Sequence, residues 1–229
     1  MSIPRIIHQT WKDEKIPERW KAFQDKVRSL HPDWKYQLWT DEDNDAFIEK
    51  HYPDLLMIYR SYPKPVMRAD VIRYAIMDRI GGLYLDLDYE MLRPFDLLDA
   101  HIVLPKSRSA NFGDKEDRIG NCIMASEPGH DFWKVVIQDL ITNPFKIGIE
   151  ELDVEKATGP LLLTRIYEDG KWPDIDTPER LLFHPPSPRS RSEYEAILKE
   201  DISYGIHHAH GSWRQPRWRK LLAKILGSS

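Results

Sequence analysis

The order of apolar runs and chain breakers predicts an α/β fold with a largely parallel sheet and helices on both of its faces. Three observations carry that expectation. Strand-like and helix-like segments alternate from the start of the chain, and a helical repeat runs into Gly81-Gly82 and then straight into an apolar strand. A length of 229 residues with 41% hydrophobic content suits one domain with a proper core, here expected to span 1–229.

Residues Ile3 to His8 read as a short buried strand with β-branched Ile6 and Ile7. A helix follows with Pro17 in its first turn, Trp20, Phe23, Val27 and Leu30 on one face, and His31-Pro32 as its stop. Trp34 to Trp39 reads as a second strand, and Thr40 then offers an N-cap to an acidic first turn. From Arg68, the spacing of Ile72, Ala75, Ile76 and Ile80 predicts a helix, which Gly81-Gly82 ends in left-handed backbone. Leu83 to Asp88 reads as a strand, with Leu83, Leu85 and Leu87 on one face and Tyr84, Asp86 and Asp88 on the other. Helices are expected over Pro128–Ile141 and Pro160–Tyr167, a loop over Pro185–Arg191 and a last strand over Ser203–His208. The stretch 216–226 alternates basic and apolar residues as a short amphipathic helix does.

A net charge of −4 argues against binding nucleic acid through a general basic field. Cys122 is the single cysteine, so no internal disulfide forms and a reducing, cytoplasmic setting is expected. With no assigned base beside it, Cys122 reads as a small buried hydrophobe. The opening MSIPRIIHQTWKDEK lacks an apolar signal core, and no run approaches the roughly 20 apolar residues of a membrane span. Phosphate-binding glycine loops, the nucleophile elbow and C-x-x-C are all missing, so dehydrogenase, P-loop and serine hydrolase chemistry lose their main support.

The chemistry-bearing feature is the Asp-x-Asp pair. On a strand the two Cα atoms lie about 7 Å apart on one face, so both carboxylates can address one hard cation such as Mg²⁺ or Mn²⁺. The carboxyl end of an apolar strand is also where open α/β sheets bind ligands. An isolated D-x-D is a weak signal; here a helix carrying Asp70 and Arg73 at i,i+3 precedes it through Gly-Gly.

RADVIRYAIMDRIGGLYLDLDYE resembles the signature of the family 32 glycosyltransferases, and IPRIIHQTW, NCIMASEPGHDFW, TGPLLLT and HHAHGSW extend the resemblance over almost the whole chain. The resemblance implies a GT-A fold, a single Rossmann-like domain, and a retaining hexosyltransferase. It would use a nucleotide-sugar donor (UDP- or GDP-linked), a divalent metal (Mn²⁺ or Mg²⁺) and a glycan or lipid-linked acceptor, as in capsule polysaccharide and sphingolipid biosynthesis. It implies that Trp11 stacks on the nucleobase and that Asp70 and Arg73 hold the sugar and diphosphate, with Arg73 suited to bidentate phosphate contact. Tyr84 and Asp86 would contact ribose or sugar, Asn121 donor hydroxyls, and Trp213 would lie over the donor. Asp88 would ligate the metal directly, joined by a late residue, His208 first and His210 or Ser212 next. Thr158 would stand either at a helix N-terminus facing an anion or as a turn and cap. A metal-dependent phosphohydrolase and a non-catalytic sugar-nucleotide-binding protein are the rival readings. The basic stretch 216–226 is expected either to pack on the domain or to meet an anionic membrane at its cytoplasmic face.

Overall fold

A computed structural model describes residues 2–108, 117–144 and 151–209, with no side chains described for 151–153. In chain order the elements are β1 (Ile6–Thr10), α1 (Glu18–Leu30), β2 (Lys35–Trp39), α2 (Asp41–His51), α3 (Pro53–Ser61), α4 (Pro65–Arg79), β3 (Gly82–Leu85) and β4 (Tyr89–Met91). There follow β5 (Ile102–Val103), β6 (Lys106–Ser107), β7 (Arg118–Ile119), β8 (Ile123–Ser126), α5 (Asp131–Thr142), α6 (Glu151–Ala157) and α7 (Pro160–Asp169). The described chain closes with β9 (Ile175–Asp176), α8 (Arg180–Phe183), α9 (Arg191–Glu200) and β10 (Gly205–His207).

Six strands form the central sheet in the order β2-β1-β3-β8-β5-β9. The pairs β1–β2, β1–β3 and β5–β9 are parallel, and β8 alone is reversed against both of its neighbours. The expectation of a largely parallel sheet holds, with one antiparallel strand at its centre. Strand β3 alternates as its sequence predicts: Leu83 and Leu85 enter the core shared with Val27 and Phe183, and Tyr84 enters the opposite core with Ile72, Trp133 and Leu163.

The α2 cap forms as a full box, in which the Thr40 hydroxyl accepts from the Asp43 amide and the Asp43 carboxylate accepts from the Thr40 amide. Helix α4 starts with Pro65 and is buried on nearly every side from Met67 to Met77, so its polar Asp70 and Arg73 are interior groups that must be paired. The chain leaves α4 through Gly81 at φ +70°, whose amide donates to the Ile76 carbonyl. A Cβ there would lie 2.5 Å from the Ser126 carbonyl oxygen, so glycine alone fits the turn.

Several boundaries differ from expectation. β1 begins at Ile6 rather than Ile3 and β10 is confined to Gly205–His207. α5 starts after Gly129, at φ +75°, where the His130 ring accepts from the Phe132 amide. The strand expected to run through Asp88 ends at Leu85, because the Tyr89 amide bonds the Asp86 carbonyl at 3.0 Å and closes a tight turn. The amphipathic stretch 216–226 lies outside the described residues.

Candidate active site

The site is assembled at the carboxyl end of β3. The Asp86 amide still donates to the Cys122 carbonyl at 2.8 Å, so the ladder to the β8 side persists for one residue past the strand. The turn then swings Asp88 round, and β4 returns antiparallel to β10. The pairing of His207 with Tyr89, continued by the His208 amide donating to the Asp88 carbonyl at 3.0 Å, delivers the late histidines to the turn.

One ligand atom from each of Asp86, Asp88 and His207 falls within a common 4.8 Å, and all three side chains are partly accessible. The His207 Nε2 is 3.3 Å from Asp88 Oδ1. Two carboxylates with one imidazole, open on one side, fit a borderline divalent cation that keeps positions for phosphate oxygens or water. The expected late ligand was His208. Its Nε2 instead lies 3.0 Å from Glu90 Oε2, and its ring stacks on Phe23 at 4.9 Å. Glu90 and His208 share one face of the β4–β10 pair and His207 the other. The shared aspect of Asp86 and Asp88 comes from the turn rather than from a pleat. His210, Ser212 and Trp213 lie outside the described residues.

Behind the aspartates lies a buried polar network. Arg73 is 5% exposed. Its Nε donates to the Ala69 carbonyl, its Nη1 donates to the Asn121 carbonyl at 2.7 Å and meets Asp86 at 3.2 Å, and its Nη2 meets Asp70 at 3.4 Å. The guanidinium also lies 4.8 Å from the centre of the Tyr84 ring. Protein groups therefore meet every nitrogen of the Arg73 fork. Asp70 accepts from Asn121 Nδ2 at 3.0 Å and from the Thr158 hydroxyl at 3.1 Å. Thr158 thus serves Asp70, not an anion at a helix end. Tyr74, not singled out from the sequence, ties the network together: its hydroxyl accepts from Asn121 and donates to the Thr158 carbonyl at 2.7 Å.

Electrostatics follow the burial. Desolvation pushes the Asp70 carboxyl up to about 7, against the pull of Arg73 and with a further push from Asp86. Asp86 is likewise raised, by desolvation first, with Arg73 opposing and Asp88 adding like charge. His207 is held well above the ordinary imidazole value; burial opposes this, but Cys122 and Asp88 outweigh it. A cation bound here would take over the compensating role of that proton.

Tyr84 donates from its hydroxyl to Asp86 Oδ1 at 2.9 Å and lies 3.1 Å from the Thr10 hydroxyl, which joins the end of β1 to the turn. Trp11 follows directly, half-buried, with its Nε1 donating to the Lys15 carbonyl and its ring edge-on to Trp20 at 4.8 Å. Cys122 is buried as expected, but His184 Nε2 lies 3.0 Å from its sulfur. Burial opposes ionisation of the thiol, yet His207 and His184 draw it down to about 6. His184 stands 62 residues further along the chain, where no local pattern connects it to Cys122.

Residues 17–106 match the family described as a glycosyltransferase sugar-binding region containing the DXD motif. An inositol phosphoceramide mannosyltransferase of Schizosaccharomyces pombe is 39% identical over 219 residues, covering 90% of this chain and 60% of the relative. A mannosyl phosphorylinositol ceramide synthase of Saccharomyces cerevisiae is 39% identical over 170 residues, covering 74% of this chain and 43% of the relative. The chain thus spans about 60% or less of the length of these relatives. Among solved structures, the glycosyltransferase domain of the YGT toxin superposes with TM-score 0.59 at 8% identity, covering 98% of this chain and 86% of that one. The PaToxG glycosyltransferase gives 0.58 at 17% identity, covering 73% and 70%. With its acidic turn at the end of β3, its sheet order and these matches, the chain is similar to DXD-containing glycosyltransferases over most of its length and shares the fold of the two toxin glycosyltransferases.

Proposed function

We propose that the protein transfers a hexose from a UDP- or GDP-sugar to a glycan or lipid-linked acceptor, with retention at the anomeric carbon and dependence on a divalent cation. The observation that carries this reading is the convergence of Asp86, Asp88 and His207 beside the buried Arg73 at the carboxyl end of β3. A divalent cation held by these three residues would neutralise charge on the leaving diphosphate, with manganese favoured over magnesium by the imidazole ligand. Arg73 fixes Asp86 and adds fixed positive charge behind the turn, in a low-dielectric setting where such charge counts most. In this reading Asp70, held by Asn121 and Thr158, and Tyr84, held by Thr10, would contact the donor's sugar or ribose. No carboxylate is assigned as a nucleophile, so front-face attack is the preferred route to retention. The names of the relatives support mannose as the sugar and an inositol-bearing phosphosphingolipid as the acceptor. A lipid acceptor also suits peripheral contact between the basic stretch 216–226 and an anionic membrane.

The test pairs metal removal with one substitution. Turnover of nucleotide sugar is expected to stop in EDTA and to return with Mn²⁺, and Asp88→Ala is expected to lower kcat at least 1000-fold, about 4 kcal/mol, with an unchanged circular dichroism spectrum. Full activity in EDTA, or a wild-type rate for Asp88→Ala, overturns the metal-site reading.

A further inference from the structure

The ordered contacts around Glu90 belong to neither the cation cluster nor the buried Arg73 network. Glu90 lies on β4, two residues beyond Asp88, and its side chain is 8% exposed. Three elements converge on it. Lys26 of α1 donates to Oε1 at 2.9 Å, Tyr194 of α9 donates to the same oxygen at 2.8 Å, and His208 Nε2 meets Oε2 at 3.0 Å. Phe23, one turn before Lys26 on α1, stacks against the His208 ring at an interplanar angle of 10°. The segment after β10 is therefore gripped through His208 from two sides, by a carboxylate and by an aromatic face.

The adjacent residue is His207, whose side chain leaves the opposite face of the same ribbon. Its ring is stacked on Tyr89 at 6.4 Å and reaches Asp88. An anchor on one face of a two-residue step sets the rotation of the step and so the direction of the side chain on the other. The pairing between β4 and β10 covers only three residues on each strand, too short a ladder to hold a ligand's orientation by itself.

We propose that Glu90 is a positioning residue: by holding His208 against α1 and α9 it aims His207 at the Asp86–Asp88 turn and so preorganises the cation site. The inference rests on the reading that Asp86, Asp88 and His207 hold the cation. It also accounts for α9, a helix without a buried residue, which brings Tyr194 to Glu90.

The test measures Mn²⁺ binding to the full chain by titration calorimetry or by the electron-paramagnetic signal of the free ion, without donor or turnover. Glu90→Ala is expected to weaken Mn²⁺ binding about tenfold or more, the range for loss of a residue that orients a metal ligand. Glu90→Gln, which can still accept from Lys26 and Tyr194 and bond His208, is expected to stay within about threefold of wild type, as for a conserved hydrogen-bond framework. If Glu90→Ala fails to fold, Lys26→Met combined with Tyr194→Phe loosens the same anchor and is expected to weaken Mn²⁺ in the same way. Wild-type Mn²⁺ affinity in Glu90→Ala or in that double variant, even with a lowered melting temperature, overturns the proposal and leaves the cluster as part of the fold. Equal loss in Glu90→Gln and Glu90→Ala also overturns it, since charge and not orientation would then be what Glu90 supplies. Wild-type protein that binds no Mn²⁺, or Asp88→Ala that binds it as tightly as wild type, defeats the metal-site reading itself and this inference with it.

Discussion

Trp11 stands one residue past the end of β1, with its indole N–H tied to the Lys15 carbonyl and its ring edge-on to Trp20. The ring is half-buried, so a planar base can stack on it without unpacking the core. Loss of such a contact costs about 1–3 kcal/mol in nucleic-acid systems. Trp11→Ala is therefore expected to raise donor KM by roughly 5- to 150-fold while acceptor KM stays put, read by steady-state kinetics and by calorimetry with the nucleoside diphosphate and Mn²⁺. A lowered melting temperature with unchanged nucleotide affinity would assign the ring to Trp20 packing alone. At this scale the acidic residues of the site were legible because D-x-D after a buried helix and Gly-Gly is a rare local pattern. Which of the two adjacent histidines turns toward the aspartates was not. His207 and His208 are neighbours of one type, and only the register of β10 against β4 and the partner Glu90 decide which of them faces Asp88. Tyr74 and His184 escaped for the same reason, since their partners lie 47 to 84 and 62 residues away.

Elements are joined near the site by His8, which is 1% exposed on β1. Its Nδ1 accepts from Trp39 Nε1 of β2 at 3.1 Å, and its Nε2 donates to the Gly81 carbonyl in the turn between α4 and β3 at 2.9 Å. Only the neutral ring can do both, because a proton on Nδ1 would face the indole N–H. Burial accordingly lowers its pKa to about 4, with the Gly81 bond opposing the shift. The folded value lies below the unfolded value of 6.5, so the stability His8 contributes is complete above about pH 6.5 and is lost as pH falls toward 4. That loss is on the order of 3 kcal/mol. Urea titrations are expected to show wild type losing stability between pH 7 and 4.5, with a shallower decline for His8→Gln. Parallel slopes for the two proteins would place the pH dependence elsewhere. Among elements, α1, β2, α2, α4 and α7 were legible from their spacing and caps. α9 was not, because a helix with no buried residue carries no apolar stripe to read. α3 was hidden because a single residue, Tyr52, separates it from α2, and β5, β6, β7 and β9 are two-residue pieces defined only by their partners.

For the molecule as a whole, a net charge of −4 contrasts with Arg214, Arg217, Arg219, Lys220 and Lys224 gathered near one end of the sequence. Among the described residues no helix is long and apolar enough to cross a membrane, and the proposed membrane contact rests on the basic stretch alone. Co-sedimentation at low salt is expected to recover more full-length protein with anionic than with neutral liposomes, and the difference is expected to vanish when residues after Gln215 are removed. Equal recovery with both liposomes, or from the truncated chain, ends that proposal. The fold class was legible because alternation and a two-faced sheet are properties of the whole pattern, whereas the reversed direction of β8 depends on long-range pairing that no short window contains. The β4–β10 pairing has a further consequence, in the order of events during synthesis. Asp88 leaves the ribosome 119 residues before His207, counting from 88 to 207, which at 5–20 residues per second is roughly 6 to 24 s. For that interval the nascent chain carries an acidic turn without its imidazole, and a cation site of the proposed kind would be completed only once His207 has emerged.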